Sequence, residues 1–122
     1  MQIDLFSFGF KHALPEADTV FDVRFLPNPY YVPELSPHTG LEPDVSKYVL
    51  ETSLAEDFFR HLQPLLFFFI QSHLDAGKNG LRIGIGCTGG RHRSVAVVEK
   101  LKEILQECGV TVNAFHRDID KD

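Results

Sequence analysis

Cysteine is scarce in this chain: Cys87 and Cys108 are the only two among 122 residues. They form no disulfide framework and show no metal-ligand spacing, so a reduced, cytoplasmic setting without a metal or other cofactor is expected. Long hydrophobic runs are also missing. The longest, LLFFFI at 65–70, falls far short of the ~20 residues that a transmembrane helix needs. Residues 1–10 lack the charged n-region and small-residue cleavage site of a signal peptide. Excess positive charge is absent as well. The formal net charge of −5 argues against a globally basic nucleic-acid binder, though it leaves room for a local cationic patch. What remains is a composition of 43% hydrophobic and 24% charged residues, ordinary for a globular domain with a real core.

The pattern along the chain alternates between strand and helix periods. IDLFSFGF (3–10) has a period of two and ends near Gly9, which predicts a strand. TVFDVRFL (19–26) predicts a second, with Asp22 and Arg24 on one face and Val23 and Phe25 on the other. Charges so placed mark either a solvated edge or the wall of a polar site. Residues 27–43 hold five of the seven prolines, together with Tyr30, Tyr31 and an HTG triplet. A loop of that length in a small domain is commonly functional, and its aromatic content predicts a packed one. A helical turn or two is expected at 44–51.

Ser53 and Glu56 fit a capping box at the start of a helix. Its apolar stripe reads Leu54, Phe58, Leu62, Leu65, Leu66 and Phe69, with the phenylalanine cluster in the core. Pro64 is expected to kink or divide this helix, and Gly77 to stop it. LRIGIGC (81–87) predicts a buried strand. A helix follows from about Arg91, with the stripe Val95, Val98, Leu101, Leu105 and Cys108, and Gly109 ends it. VTVNAF (110–115) predicts the last strand. Strand, glycine turn, helix and strand make a βαβ unit with parallel strands. The fold class predicted is α/β: one domain over 1–122, with a small, mostly parallel sheet flanked by helices.

GIGCTGGRHRS (84–94) is therefore placed at the carboxyl end of a strand, where open α/β sheets bind ligands. Glycines there allow close approach, and the following helix presents free amides and a partial positive charge. Arg91, His92 and Arg93 add cationic donors, Thr88 and Ser94 hydroxyls. The shared chemical content is an anion site; the plain alternative is a solvated basic turn. A dinucleotide template, Gly84-x-Gly86-x-x-Gly89, fits poorly, because Gly84 falls within the strand and no second mononucleotide half follows. A second template matches the C-x5-R-[ST] loop of cysteine phosphatases, with Cys87 as nucleophile and Arg93 as phosphate clamp. Such an enzyme also needs a general acid, for which Asp22 and Asp118 are available.

SFGFK (7–11), ADTVFDVRFLPNP (17–29), TGL (39–41), IGCTGGRHRSV (85–95) and HRD (116–118) closely resemble the C-terminal domain of the RapZ (YvcJ-like nucleotide-binding) family. The match runs in order over nearly the whole chain. The resemblance implies a fold similar to a 6-phosphofructokinase subdomain and an intracellular regulatory role. It further implies sensing of glucosamine 6-phosphate, RNA binding as an adapter for RNase E, and self-association into a homo-oligomer. Carried over residue by residue, the sugar-phosphate pocket comprises Lys11, Asp22, Arg24, Asn28, Thr88, Gly89, Gly90, His92 and Arg93. The N-terminal P-loop ATPase domain typical of the family is expected to be absent from this chain, since no G-x-x-x-x-G-K-[ST] occurs. The tail HRDIDKD replaces the basic tail of RNA-binding members, which weakens the RNA expectation. Tyr30 stands where the best-known members carry histidine, which implies either a shifted pocket specificity or a packing role for Tyr30.

Overall fold

In the computed structural model, which describes residues 1–121, four strands form one sheet in the order β2-β3-β1-β4. These are β1 (Gln2–Gly9), β2 (Thr19–Asp22), β3 (Gly80–Cys87) and β4 (Val112–His116). Every pairing is parallel, from Gln2↔Gly80 to Gly9↔Cys87 in the centre, with Ile3↔Val112 on one side and Thr19↔Ile83 on the other. The three helices are α1 (Pro43–Leu50), α2 (Ser53–Asp75) and α3 (Arg93–Glu107), with short 3-10 turns at Phe10–His12 and Pro29–Tyr31. The expected α/β architecture is thus present, with a wholly parallel sheet. Among the described residues no helix is long and apolar enough to cross a membrane.

Side chains alternate across the sheet, and the two faces are covered differently. Ile3, Leu5, Leu81, Ile83 and Ile85 point toward the helices and build the main core with Val97, Val98, Leu101 and Leu105 of α3. Residues of that size contribute about 1.5–3 kcal/mol each when fully buried. On the opposite face Phe6 and Phe8 are buried outside that cluster, with the Phe10 ring edge-on to Phe8 at 4.9 Å. Three guanidinium groups lie over this aromatic row: Arg82 over Phe6 at 5.0 Å, Arg117 over Phe8 at 5.5 Å and Arg24 over Phe10 at 4.2 Å. Each is paired with a carboxylate, respectively Asp4, Asp118 and Asp22.

Several sequence expectations need correction. β2 ends at Asp22 rather than at residue 26, because the Val23 amide makes its last bond to Gly86 O and the chain then turns, with Leu26 N bonding back to Val23 O. The N-cap of α2 is Thr52, whose hydroxyl accepts from the Ala55 amide at 3.1 Å; Ser53 is already helical. The buried stripe of α2 is Ala55, Phe59, Leu62, Leu66 and Ile70, so Leu54, Leu65 and Phe68 are left exposed. Leu65 to Ile70 is an unbroken apolar run, so two stripes one position apart look alike in sequence. Pro64 does not divide α2, which runs unbroken for 23 residues. In α3 the expected stripe is buried up to Leu105, but Cys108 lies past the helix end and is exposed. α3 starts at Arg93 with His92 as its cap, two residues later than expected, because the glycine turn continues through 92.

Candidate functional site

The loop after β3 is shaped by close backbone packing. A Cβ on Gly9 would stand 2.4 Å from the Gly89 carbonyl carbon, and one on Gly90 would stand 2.6 Å from the Gly9 amide. Gly90 also has φ of +78°, which a side chain rarely tolerates. The turns after β1 and β3 therefore touch through bare backbone. Lys11 N donates to Thr88 O at 3.2 Å, which fixes the Lys11 chain along the same turn. Gly84 and Gly86 have a different cause. Added Cβ atoms there would meet the Phe6, Phe8 and Phe10 rings, as close as 2.5 Å at Gly86. Two of the three glycines of the dinucleotide template thus serve aromatic packing.

Six of the nine sequence-derived pocket residues line one cavity of about 330 Å³: Lys11, Asn28, Thr88, Gly89, His92 and Arg93. Cys87, Arg91, Ser36, Tyr30 and Tyr31 complete its wall. Asp22, Arg24 and Gly90 do not line it. Asp22 and Arg24 are half-exposed and engaged with each other, Arg24 Nη2 donating to Asp22 Oδ2 at 2.7 Å. The Arg24 guanidinium holds the Asp22 carboxyl below its usual pKa. Ser36 and Tyr31 belong to the proline-rich loop, where nothing in the sequence distinguished lining residues from the rest.

Arg93 is the centre of this site. It is buried at 5% exposure, yet its Nη1 donates only to the carbonyl oxygens of Arg24 (2.6 Å) and Leu26 (3.3 Å). Nη2 reaches Thr88 Oγ1 at 3.4 Å, and Nε is buried without a partner. Among the described residues no carboxylate lies within ion-pair distance of it. An arginine stays charged in any protein environment, and a buried charge without a counterion is costly. Among the described residues no backbone carbonyl accepts from the amides of Gly89 to Arg93 either. These donors and the α3 dipole converge on the same turn.

The remaining polar groups are held in place rather than free. His92 Nε2 donates to Ser36 O at 3.0 Å, and Gly40 N donates to Arg91 O at 2.9 Å. Burial, followed by its cationic neighbours, pushes the His92 pKa down, against the pull of carbonyls near the ring. The imidazole is therefore neutral at pH 7 and acts as a hydrogen-bonding strut. Cys87 is buried, with Sγ 3.1 Å from Ser94 Oγ. Asp118 is fully buried and accepts from the Gly9 amide at 2.7 Å, from Arg117 and from Lys121. Burial alone would raise its pKa, but these hydrogen bonds and charges outweigh it and hold the carboxyl well below its ordinary value. Neither Asp118 nor Asp22 is then a protonated general acid near neutral pH. Among the described residues, no group of three or more His, Cys, Asp or Glu side chains is gathered to hold a metal.

Known proteins match this arrangement over almost its full length. A family model described as RapZ C-terminal domain matches residues 1–120. A nucleotide-binding protein of Limosilactobacillus reuteri is 51% identical over 120 residues, covering 98% of this chain and 41% of the relative. One of Caldicellulosiruptor bescii is 50% identical over 123 residues, with 100% and 42% covered. One of Clostridium acetobutylicum is 47% identical over 121 residues, with 98% and 41% covered. The chain spans about two fifths of the length of these relatives.

Proposed function

The chain belongs to the RapZ C-terminal domain family, and on that basis we propose that it is a regulatory domain whose glycine-rich cradle binds a phosphorylated metabolite, with glucosamine 6-phosphate the first candidate. The observation that carries this reading is Arg93, a buried cation without a carboxylate partner beside a turn of unengaged amides. A phosphate dianion supplies what that site lacks: a counter-charge and several acceptors in one small group. Arg93 and Lys11 neutralise it, Thr88 and the Gly89 amide donate to it, and Asn28 reads the rest of the ligand. Asp22 and Arg24 lie outside the cavity, so they act on the ligand only after their mutual pair opens. The relatives are named nucleotide-binding proteins, which makes nucleotides the second ligand class to test.

Isothermal titration with glucosamine 6-phosphate, glucosamine and inorganic phosphate tests the reading. Binding is expected for the phosphorylated compounds only, with Arg93→Gln weakening it at least ~30-fold, as expected on removing one member of a buried charge pair. Absence of binding by every phosphorylated probe sinks it. The competing reading is a cysteine phosphatase, favoured by Cys87 and Arg93 lining the same cavity. The engaged, ionised state of Asp22 and Asp118 speaks for binding over turnover. Phosphatase turnover lost in Cys87→Ser would reverse that preference.

Self-association is part of the same proposal. It is supported by the exposed apolar residues Leu54, Leu65 and Phe68 of α2, with Phe25 packed edge-on against Phe58 beside them. An RNA-binding adapter role has weaker support, since the arginines over the aromatic row are all paired with carboxylates. The unpaired cysteines fit the cytoplasmic location included in this proposal.

A further inference from the structure

Two tyrosines stand at the rim of the cradle, and phosphate binding gives them no task. Tyr30 is 65% and Tyr31 78% exposed, and both line the cavity that holds Arg93. Their backbone is firmly anchored. Asn28 Oδ1 accepts from the Tyr30 amide, Tyr31 N donates to Asn28 O, Val32 N donates to Pro29 O, and Pro29 is buried. The following residues are tied to the cradle through Ser36 O and His92. A rigid loop thus presents two large aromatic faces to solvent, where packing would normally hide them. Tyrosine with few rotatable bonds on a fixed backbone is a low-entropy contact surface.

The rings also have a definite mutual geometry. Their centroids are 5.5 Å apart and their planes meet at 83° in a T-shaped, edge-to-face pair, which leaves a corner between the two faces. A flat ring stacked on one tyrosine meets the other edge to face, and both contacts suit aromatic quadrupoles. A puckered sugar has no such flat π-face. We propose that Tyr30 and Tyr31 form a base-stacking subsite, so that the cavity takes a 5′-phosphorylated nucleotide. Its phosphate sits in the Thr88–Arg93 cradle and its base against the tyrosine corner. This rests on the phosphate reading of the cradle and adds to it the part of the ligand that the cradle does not contact. The nucleotide is either free or the 5′ end of an RNA strand, since both offer the same phosphate and first base.

Isothermal titration of the intact chain with AMP, ribose 5-phosphate and inorganic phosphate tests the subsite. AMP is expected to bind about tenfold tighter than ribose 5-phosphate, within the range of one stacked base. Tyr30→Ala/Tyr31→Ala should erase that gap while leaving inorganic phosphate affinity unchanged, and Tyr30→Phe/Tyr31→Phe should restore it. Equal affinities for AMP and ribose 5-phosphate, or a gap that survives the alanine pair, overturn the subsite and leave the phosphate cradle intact. Failure of all three probes overturns both readings together. Short oligoribonucleotides with and without a 5′-phosphate separate the two sources. Tighter binding of the phosphorylated oligonucleotide than of AMP identifies an RNA end, and equal or weaker binding identifies the free nucleotide.

Discussion

Asp118 shows how much a single side chain organises behind the cradle. Its carboxylate receives the Gly9 amide, Arg117 and Lys121 in a fully buried position, so it fixes the β1 turn that Gly90 packs against. Asp118→Asn keeps the shape but removes the charge that both cations face. It is expected to lower stability by roughly 3 kcal/mol, read by urea unfolding, and to weaken phosphate binding through the displaced Gly9–Gly90 contact. A loss below about 0.5 kcal/mol would mean that the buried network contributes little. The sequence offered Asp118 only as an available acid within HRD. Its distant partner, the Gly9 amide, becomes visible only once β1 and β4 are known to be neighbours. By contrast Arg93 was legible at once, because its place after a glycine turn at a helix start has one common chemical use.

Among the elements, α2 is the one whose sequence and structure diverge most. The expected stripe Leu54, Phe58, Leu62, Leu65, Leu66 and Phe69 shares Leu62 and Leu66 with the buried set at 55, 59, 62, 66 and 70, but periodicity placed the other members one position away. The helix has more apolar surface than β3 and α1 cover, leaving Phe68 63% exposed. On the proposed self-association through α2, Phe68→Glu is expected to shift sedimentation velocity toward the 13.8 kDa monomer, with the melting temperature of the domain changed little. An unchanged assembly removes α2 from the interface. The strands were easier to read. β1 and β3 were placed within one residue, because period-two alternation and a short apolar run leave little freedom. β2 was overextended, since TVFDVRFL is strand-like throughout and only the bond partner of Val23 shows where pairing stops.

At the scale of the whole molecule, pH couples the site to the fold through two histidines of opposite sign. His92 has its pKa lowered by burial, so the unfolded chain binds a proton there that the folded one resists, and its contribution is lost as pH falls through about 6.5. His38 has its pKa raised, chiefly by the hydrogen bond to Asp44 at 2.7 Å. Its contribution is present below about 6.5 and lost as pH rises through the raised value. His38 is exposed and screened, so His92 should dominate. The melting temperature of the wild type is expected to fall between pH 7 and 5.5 more steeply than that of His92→Gln; parallel slopes would exclude His92 as the source. One feature of the sheet also sets the order in which the molecule can be made. β1 precedes the other three strands in the chain, yet Gln2 pairs with Gly80 and Ile3 with Val112. β1 therefore finds β3 only after α1 and α2 have intervened, and β4 only after α3 as well. Helices α1 and α2 are free to form first, and sheet closure with the cradle upon it is the late, slow event of folding.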